Sequence, residues 1–352
     1  MQKFDNMTRQ RLCKILEKIP KVKAAVFGDL CLDIYWLADM KMSELSRETP
    51  HFAMPVVEER ISLGGGANVA ANMAALKPQQ MIAAGMIGRD WRGSELINLM
   101  DNTGIKTEHI VCEEGLTTNA FCKPLRMGIS STVYEDPRLD FANVKPFGIE
   151  TENALIASLD KIAKQVDILC VSDQLPVTVY GAVTQRVREH ILKLAHNGLT
   201  VVADSRDRIG LYHGIILKPN EVEGARAAGL SIAENHGTVN IMDYAEAAIL
   251  LSKKQDSEVI MTIGEKGSLY AAQGNVTHIP ARTVTGEIDI VGAGDTFLSG
   301  FSLALAAGAS RPEAAFVAGL CSEVTIQKIG MTGTACKEEI LTWFDKTQGR
   351  DL

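Results

Sequence analysis

Short apolar runs alternate with amphipathic stretches along most of the chain. Each apolar run ends at a polar or glycine-containing turn, which predicts strands at 24–27, 81–84, 168–171, 200–203, 214–217 and 259–262. Apolar residues three and four positions apart predict helices at 66–77, 93–103, 151–164, 178–196, 240–253, 294–307 and 311–328. Strands and helices that alternate in this way form a mainly parallel sheet with helices packed against it. We therefore expect one α/β domain over residues 1–352.

Two segments depart from this alternation. Residues 34–61 and 117–141 are rich in Thr, Val, Tyr, Phe and Pro and lack a long helical period. We expect them to form extra strands that project from the sheet edge as a small β-lid and exclude water from a site. Two plain surface loops are the alternative.

Composition narrows the class of function. The net charge is −7 and no long basic run is present, so we expect a small-molecule substrate rather than nucleic acid. The sequence has neither an apolar stretch of about 18 residues nor a signal-peptide core, so we expect a cytoplasmic protein without a membrane partner. The seven cysteines are scattered without a Cys-x-x-Cys pair, which indicates neither disulfides nor a zinc site.

The stretch from Asp289 to Phe297 joins a glycine-rich turn to the start of an apolar helix. Gly292, Ala293 and Gly294 have little or no side chain, so their backbone N–H groups can approach a phosphate at the positive end of the helix. Asp295 lies in the first turn, where it can accept a proton from an attacking hydroxyl. A simple helix cap is the alternative for Asp295.

Polar and glycine residues near the first strands predict the acceptor side of such a site. Asp29 and Asp33 follow the first strand and can hold sugar hydroxyls, although either can instead be a turn or capping residue. A second motif combines glycines that admit a ligand to the backbone with an amide that both donates and accepts: Gly64, Gly65, Gly66 and Asn68. Helix packing is the alternative for these glycines.

Two later motifs predict the nucleotide side. Asn220 and Glu223 follow a predicted strand, and their amide and carboxylate can order Mg²⁺-bound water beside a nucleotide. Thr262, Gly264 and Gly267 close another strand and can bring hydroxyl and backbone groups to phosphates. An acidic helix start and a glycine-containing turn are the respective alternatives.

These motifs together resemble the ribokinase or phosphofructokinase-B family of carbohydrate kinases over about residues 22–335. The resemblance rests on Gly64-Gly-Gly-Ala-Asn68, Gly88-Arg-Asp-Trp-Arg-Gly93, Asn220-x-x-Glu223, Thr262-x-Gly-x-x-Gly267 and Asp289-x-x-Gly-Ala-Gly-Asp295, in the family's order. It implies a three-layer α/β/α fold with a β-lid and phosphoryl transfer from ATP with Mg²⁺. It also implies Asp295 as base, the 292–294 amides as anion hole, and Asp33 and Asn68 on the sugar. A monovalent cation such as K⁺ is implied near Asp289 and the loop 330–333, and a homodimer through the lid.

Within the family, the chain is most similar to the kinase domain of heptose 7-phosphate kinases. This similarity rests on Gly28-Asp-x-x-Leu-Asp-x-Tyr-Trp36, Ser46-Arg47, Pro50, Pro55-Val-Val57, Arg138-Leu-Asp-Phe141, Ser172-Asp173 and Lys218-Pro-Asn220. The chain departs from that pattern at Gln174-Leu-Pro176, Asp204-Ser-Arg206 and Gly319, and we expect no nucleotidyltransferase domain of the kind that bifunctional members carry. The acceptor alternatives are a ketohexose phosphate, a pentose or a nucleoside. A sugar- or nucleotide-binding regulator without turnover is the alternative outside enzymes.

Four cations predict that the acceptor already carries a phosphate. Lys123, Arg126 and Arg138 lie in the second lid segment, and Arg89 follows a strand near the glycine-rich helix. We expect them to form a phosphate clamp at the mouth of the sugar pocket, since Arg binds phosphate through paired hydrogen bonds. Solvated surface charges, or ion pairs with nearby acidic residues, are the alternative.

Overall fold

The computed structural model describes residues 1–4, 6–128, 130, 132–176, 180–230, 240–330 and 332–347. The strands, in chain order, are β1 (Gln2–Lys3), β2 (Lys23–Gly28), β3 (Leu30–Asp39), β4 (Val56–Gly65), β5 (Gln80–Gly88), β6 (Lys106–Glu113), β7 (Asn119–Met127), β8 (Val133–Glu135), β9 (Leu139–Phe141), β10 (Ile168–Asp173), β11 (Thr200–Ser205), β12 (Ile216–Leu217), β13 (Glu258–Thr262), β14 (Ser268–Ala272) and β15 (Asn275–Ile279).

The helices are α1 (Arg9–Leu16), α2 (Gly66–Ala75), α3 (Trp91–Asn102), α4 (Ile149–Ile162), α5 (Gln185–His196), α6 (Glu221–Ala228), α7 (Ile241–Gln255), α8 (Ala293–Ala306), α9 (Arg311–Thr325) and α10 (Lys337–Thr347). Local signals fix several of their ends. Ser310 and Glu313 form a capping box at the start of α9. After α2, Lys77 has φ 57°, and Pro78 follows it.

The main sheet has the strand order β1-β15-β14-β13-β12-β11-β10-β2-β5-β6. It is parallel from β13 through β6, whereas β14 pairs antiparallel with both β13 and β15. The carboxyl ends of β2, β10, β11 and β12 therefore meet at one edge, which is where ligands bind in such sheets.

Helices cover both faces of this sheet. Successive residues of β10 alternate between two apolar clusters, so that Cys170 packs in one layer and Val171 in the other. The first layer contains apolar residues of α1, α2, α8, α9 and α10, and the second contains those of α4, α5, α6 and α7. The predicted three-layer α/β/α architecture is confirmed.

A second, smaller sheet contains the strands predicted for the lid and is called the lid sheet below. Its order is β4-β3-β7-β8, with β9 pairing with β7. The predicted insertions 34–61 and 117–141 therefore supply strands, and the sheet extends further than predicted because β3 begins at Leu30 and β4 continues to Gly65. The glycines at 64 and 65 thus end a lid strand before α2 begins.

The remaining differences concern short or edge elements. All the predicted strands are present. The predicted helix 178–196 begins only at Gln185: residues 180–184 are not helical, because Thr184 caps the helix, and residues 178 and 179 lie outside the described part of the chain. The sequence patterns did not predict α1, α6, α10, β1, β6, or the β14–β15 hairpin. Among the described residues, no helix is long and apolar enough to cross a membrane.

Candidate active site

Helix α8 begins at a tight glycine turn that points towards the sheet edge. Gly292 has φ 78°, a conformation that glycine adopts without strain, and the N–H of Ala293 donates to the carbonyl of Ile290 at 3.1 Å. The Ala293 amide predicted for the anion hole is therefore already engaged. Within the described part of the chain, the amides of Gly292, Gly294 and Asp295 have no hydrogen-bond acceptor. These amides, rather than the run 292–294, are the ones available to a phosphate.

Asp295 follows this turn in the first turn of α8. Its Oδ2 accepts a hydrogen bond of 2.8 Å from Nδ2 of Asn68 in α2. Burial raises the pKa of the Asp295 carboxyl to about 7, although the Asn68 hydrogen bond acts in the opposite direction. The carboxyl is buried, whereas the residue as a whole is partly exposed. The nearby Asp204 also raises this pKa. A carboxylate with a pKa near neutrality suits a general base.

Asn68, predicted to contact the sugar, makes hydrogen bonds within the protein. The residue is buried, and its Oδ1 accepts a hydrogen bond of 3.1 Å from Asn72, whose own Oδ1 accepts from the Thr296 hydroxyl at 3.0 Å. Both ends of the Asn68 amide are thus engaged by the protein. It holds the Asp295 carboxylate in place between α2 and α8.

Asp33, predicted for the acceptor side, lies on strand β3 of the lid sheet. The residue is buried, and burial raises the pKa of its carboxyl, while the charges of Lys123 and Arg138 lower it. A Cβ on Gly64 would lie 3.1 Å from the Asp33 carboxyl carbon, so only a small residue fits behind this group. The charge of Asp33 also raises the pKa of Asp295, after burial and the nearby Asp204.

Asp29 does not make the sugar contact predicted from the sequence. Its carboxylate is buried and accepts backbone N–H groups of Gln174, Leu175 and Ala182 at 2.8, 2.8 and 2.9 Å. Burial, assisted by Asp173, raises its pKa to about 6. Asp29 therefore fixes the chain after β10 and has no oxygen left for the sugar contact predicted from the sequence. Gly65 and Gly66 likewise serve packing, because a Cβ on either would lie 2.9 or 3.1 Å from the Asp29 carbonyl oxygen.

The predicted phosphate clamp divides between the two faces of the lid sheet. Lys123 pairs in register with Tyr35, and its Nζ donates to the Tyr35 hydroxyl at 2.9 Å on the face that carries Asp33. Arg138 lies 4.6 Å from the ring of Phe121 on that face and is paired with Asp140. These two cations flank Asp33.

The other two predicted clamp residues do not join them. Arg126 lies three positions after Lys123 on β7, so its side chain points to the opposite face, where it pairs with Asp136 at 2.6 Å. Arg89 follows β5 of the main sheet and is exposed, and of these four cations only Lys123 and Arg138 act on the pKa of Asp33. The prediction that all four cations converge on one phosphate clamp is therefore wrong.

The predicted nucleotide-side residues are brought together at the ends of β12 and β13. Asn220 and Glu223 form a capping box at the start of α6, and Asn220 forms a bridge with Thr262. Burial, followed by the charge of Asp204, raises the pKa of Glu223 to about 7. Gly267 is required by packing, since a Cβ there would lie 2.2 Å from the Ile279 carbonyl oxygen. Gly264, with φ +57°, faces open space.

A buried ion pair between the acceptor side and the nucleotide side was not predicted from the sequence. The ammonium of Lys218 donates to Asp204 at 2.6 Å, and both side chains are buried. A Cβ on Gly294 would lie 3.4 Å from Lys218 Nζ, which puts this cation beside the α8 turn. The carboxylates of Asp204 and Glu223 raise the pKa of Lys218, against its burial. Arg206, at the end of β11, is exposed, and its charge lowers the pKa of Glu223.

The residues around Lys218 fit a nucleotide phosphate with Mg²⁺. Asp204, Glu223 and Asp295 surround one ammonium, so the site has excess negative charge that a divalent cation can balance. The described residues contain no group of three or more ligating side chains arranged to hold a metal directly. This arrangement suits Mg²⁺ that is held through water and phosphate oxygens. Asp289, the predicted neighbour of a monovalent cation, accepts N–H groups from Val291 and Gly330 at 3.0 Å each.

Comparisons with known proteins agree with this geometry. The model of the pfkB family carbohydrate kinase matches residues 25–337. The bifunctional protein HldE of Citrifermentans bemidjiense is 30% identical over 339 residues, which is 95% of this chain and 66% of that protein. HldE of Geotalea uraniireducens is 31% identical over 345 residues, or 95% of this chain and 65% of that protein. The chain thus spans just under two thirds of these relatives.

Solved structures share the fold. Arabidopsis thaliana ribokinase complexed with ribose and ATP superposes with a TM-score of 0.69 at 20% identity, covering 92% of this chain and 98% of the ribokinase chain. Escherichia coli phosphofructokinase-2 in complex with substrates and products gives a TM-score of 0.70 at 17% identity, covering 93% and 99%. Together with the family match over residues 25–337, these findings show that the chain belongs to the pfkB family of carbohydrate kinases, enzymes that transfer a phosphoryl group to a sugar hydroxyl.

Proposed function

We propose that this protein transfers the γ-phosphoryl group of ATP to a hydroxyl of a sugar phosphate, with a heptose 7-phosphate-like acceptor favoured. The observation that carries the proposal is the start of α8, where the Asp295 carboxyl and free backbone amides lie together. Asp33 and two lid cations lie on the acceptor side of this point. The buried Lys218 lies on the nucleotide side.

In this mechanism Asp33 holds hydroxyls of the sugar, and the reacting hydroxyl meets Asp295. The ionised Asp295 carboxylate accepts the proton of this hydroxyl as its oxygen bonds to the γ-phosphorus, and the bond from that phosphorus to the bridging oxygen of ADP breaks. Asn68 keeps the carboxylate in position through its 2.8 Å hydrogen bond. The lid sheet covers the cleft and excludes water from the reaction.

Charge stabilisation supplies most of the catalysis in a transfer of this kind. The amides of Gly292, Gly294 and Asp295 donate to phosphate oxygens as charge develops on them. Lys218 balances part of this charge, and Asp204 fixes its ammonium. Glu223 would hold Mg²⁺ through water, and the bound ion would neutralise further charge on the phosphates. Asn220, Thr262 and Gly264 are proposed to contact the nucleotide.

The preference for a phosphorylated acceptor rests on Lys123 and Arg138. Both flank Asp33 on the inner face of the lid sheet, and both lower the pKa of its carboxyl. Lys123 is held by the Tyr35 hydroxyl, which accepts its hydrogen bond and does not neutralise its charge. Arg138 shares its charge with Asp140, so we expect Lys123 to contribute more to phosphate binding.

A coupled assay of ADP release across a panel of acceptors tests the proposal. The panel contains heptose 7-phosphate, a ketohexose phosphate, a pentose, a nucleoside and the dephosphorylated heptose. We expect the highest kcat/KM for the heptose phosphate and a clear preference for phosphorylated over free sugars. Equal turnover of free and phosphorylated sugars would reject the clamp, and the absence of turnover on every acceptor would favour a binding protein.

We also propose that the protein works in the cytoplasm, where ATP is supplied, and that it forms a homodimer through its lid. Exposed apolar side chains around the lid support this pairing, among them Phe52, Tyr134 and Leu139. Light scattering at assay concentration tests the dimer, and a stable monomer would reject it. A requirement for K⁺ is tested by replacing K⁺ with choline in the same coupled assay.

A further inference from the structure

Arg60 connects the lid to the body of the protein. It lies on strand β4, and its Nη1 donates to the carbonyl of Gly330 at 2.7 Å. The same guanidinium lies 5.3 Å from the centre of the Tyr35 ring and 3.4 Å from the Glu58 carboxylate. Its side chain is 44% exposed, so this contact can form and break without disrupting the core.

A second contact joins the same strand and loop. The hydroxyl of Thr332 donates to the hydroxyl of Ser62 at 3.2 Å, and Ser62 lies two positions after Arg60 on the same face of β4. We use the name lid latch for these two contacts, formed by Arg60 and Ser62 on the lid and by Gly330 and Thr332 on the loop.

On the body side, the lid latch ends at the phosphate-binding turn. The N–H of Gly330 donates to the Asp289 carboxylate at 3.0 Å, and the other oxygen of that carboxylate accepts the N–H of Val291. The side chain of Thr332 packs beside Gly292, since a Cβ there would lie 3.5 Å from the Thr332 methyl group. The latch therefore contacts the residues that set the direction of the anion-hole amides.

On the lid side, the lid latch ends at the acceptor residues. Arg60 packs on the ring of Tyr35, whose hydroxyl accepts from Lys123. Ser62 donates from its hydroxyl to the backbone carbonyl of Asp33 at 3.3 Å. A change in the position of Asp33 and Lys123 on acceptor binding is thus transmitted to strand β4 through direct contacts.

We propose that Arg60 is a positioning residue that couples acceptor binding under the lid to nucleotide binding at the α8 turn. This inference rests on the proposed function of the site. When an acceptor draws the lid onto the cleft, Arg60 holds Gly330, and Gly330 and Thr332 hold the amide turn in its phosphate-binding form. Acceptor and nucleotide then strengthen each other's binding, as required for reciprocal coupling between two sites.

The test compares the affinity for a non-hydrolysable ATP analogue with and without a saturating acceptor, measured by calorimetry. In the natural protein, we expect the acceptor that gives the best turnover to tighten analogue binding about 5-fold or more. Arg60→Met should bind the analogue alone with natural affinity but lose most of this tightening. Arg60→Lys, which keeps a donor for the Gly330 carbonyl, should recover part of it. The control is Arg47→Met, because Arg47 lies in the same insertion and makes no side-chain hydrogen bond or ion pair among the described residues.

Full coupling in a folded Arg60→Met variant, or no coupling in the natural protein despite turnover, would overturn the inference. If Arg60→Met does not fold, Thr332→Val removes the second contact of the lid latch and carries the same expectation. Failure of the proposed function is a separate result, since it requires that the natural protein phosphorylates no acceptor in the panel.

Discussion

Replacement of Asp295 by asparagine is the most direct perturbation of the proposed chemistry. The substitution preserves the shape of the side chain, and the Asn68 amide can still donate to its carbonyl oxygen, so the packing between α2 and α8 should persist. The amide cannot accept the proton of the acceptor hydroxyl. We expect kcat to fall about 100-fold or more, which corresponds to a loss of about 2.7 kcal/mol of transition-state stabilisation.

The remaining groups of the site define what should not change. The amides of Gly292 and Gly294 and the ammonium of Lys218 are untouched, so the variant should still bind nucleotide at least as tightly as the natural protein. Steady-state ADP release gives kcat, and stabilisation by an ATP analogue in a thermal melt reports binding. The matched control is Asp243→Asn, because Asp243 also lies in the first turn of a helix, α7, and accepts an N–H there. A kcat within about threefold of the natural value in a folded, nucleotide-binding Asp295→Asn variant would reduce Asp295 to a helix cap and refute the assignment.

Three further predictions follow from charge. Between pH 4 and 7 the folded protein binds more protons at Asp295 than the unfolded chain, because folding raises the pKa from 3.8 to about 7. The contribution of Asp295 to stability therefore decreases as pH rises. Asp295→Asn should raise Tm at pH 8 and change it less at pH 4. An equal change in Tm at both pH values would contradict the raised pKa. Lys218→Met, made together with Asp204→Asn so that no buried carboxylate is left unpaired, should lower kcat about 100-fold in the ADP-release assay. Lys123→Met should raise KM for a phosphorylated acceptor far more than for its free sugar, while Arg126→Met, on the other face of the lid, should alter neither.

The catalytic turn could be predicted from the sequence because its signal is local. Glycines at 292 and 294, an acidic residue at 295 and an apolar run behind them specify a turn and a helix start without knowledge of the rest of the fold. The same holds for the buried parallel strands, whose apolar runs are bounded by turns. Edge strand β6 has polar residues at several positions and shows no clear period. Helix α1 does bury Leu12, Ile15 and Leu16, three and four positions apart, but it is only eight residues long, so the pattern repeats too few times to predict a helix by itself.

The partners of the catalytic residues could not be predicted, because they depend on strand register and helix packing. The register of β11 and β12 pairs Ala203 with Leu217, and this brings the next residues, Asp204 and Lys218, side by side. The Asn68–Asp295 hydrogen bond requires α2 to pack on α8, across 227 positions of the chain. Side chains three positions apart on a strand point to opposite faces of the sheet, which places Lys123 and Arg126 on different faces of β7. An exact assignment of β7 would therefore have been enough to exclude Arg126 from the phosphate clamp.

In the proposed mechanism, acceptor choice and chemistry belong to different parts of the fold. Asp33 and Lys123 lie on strands of the lid sheet and Arg138 directly precedes β9, whereas Asp295, Lys218 and the amides of the turn lie at the ends of helices and strands in the body. Substitutions on the inner face of the lid can therefore change which sugar is bound while leaving the groups that transfer the phosphoryl intact. Such a change in specificity is useful only if the lid still signals its occupancy to the body. Under the coupling proposed above, the contacts of Arg60 with Gly330 and of Ser62 with Thr332 provide this connection through strand β4, and they do not depend on which sugar lies beneath the lid.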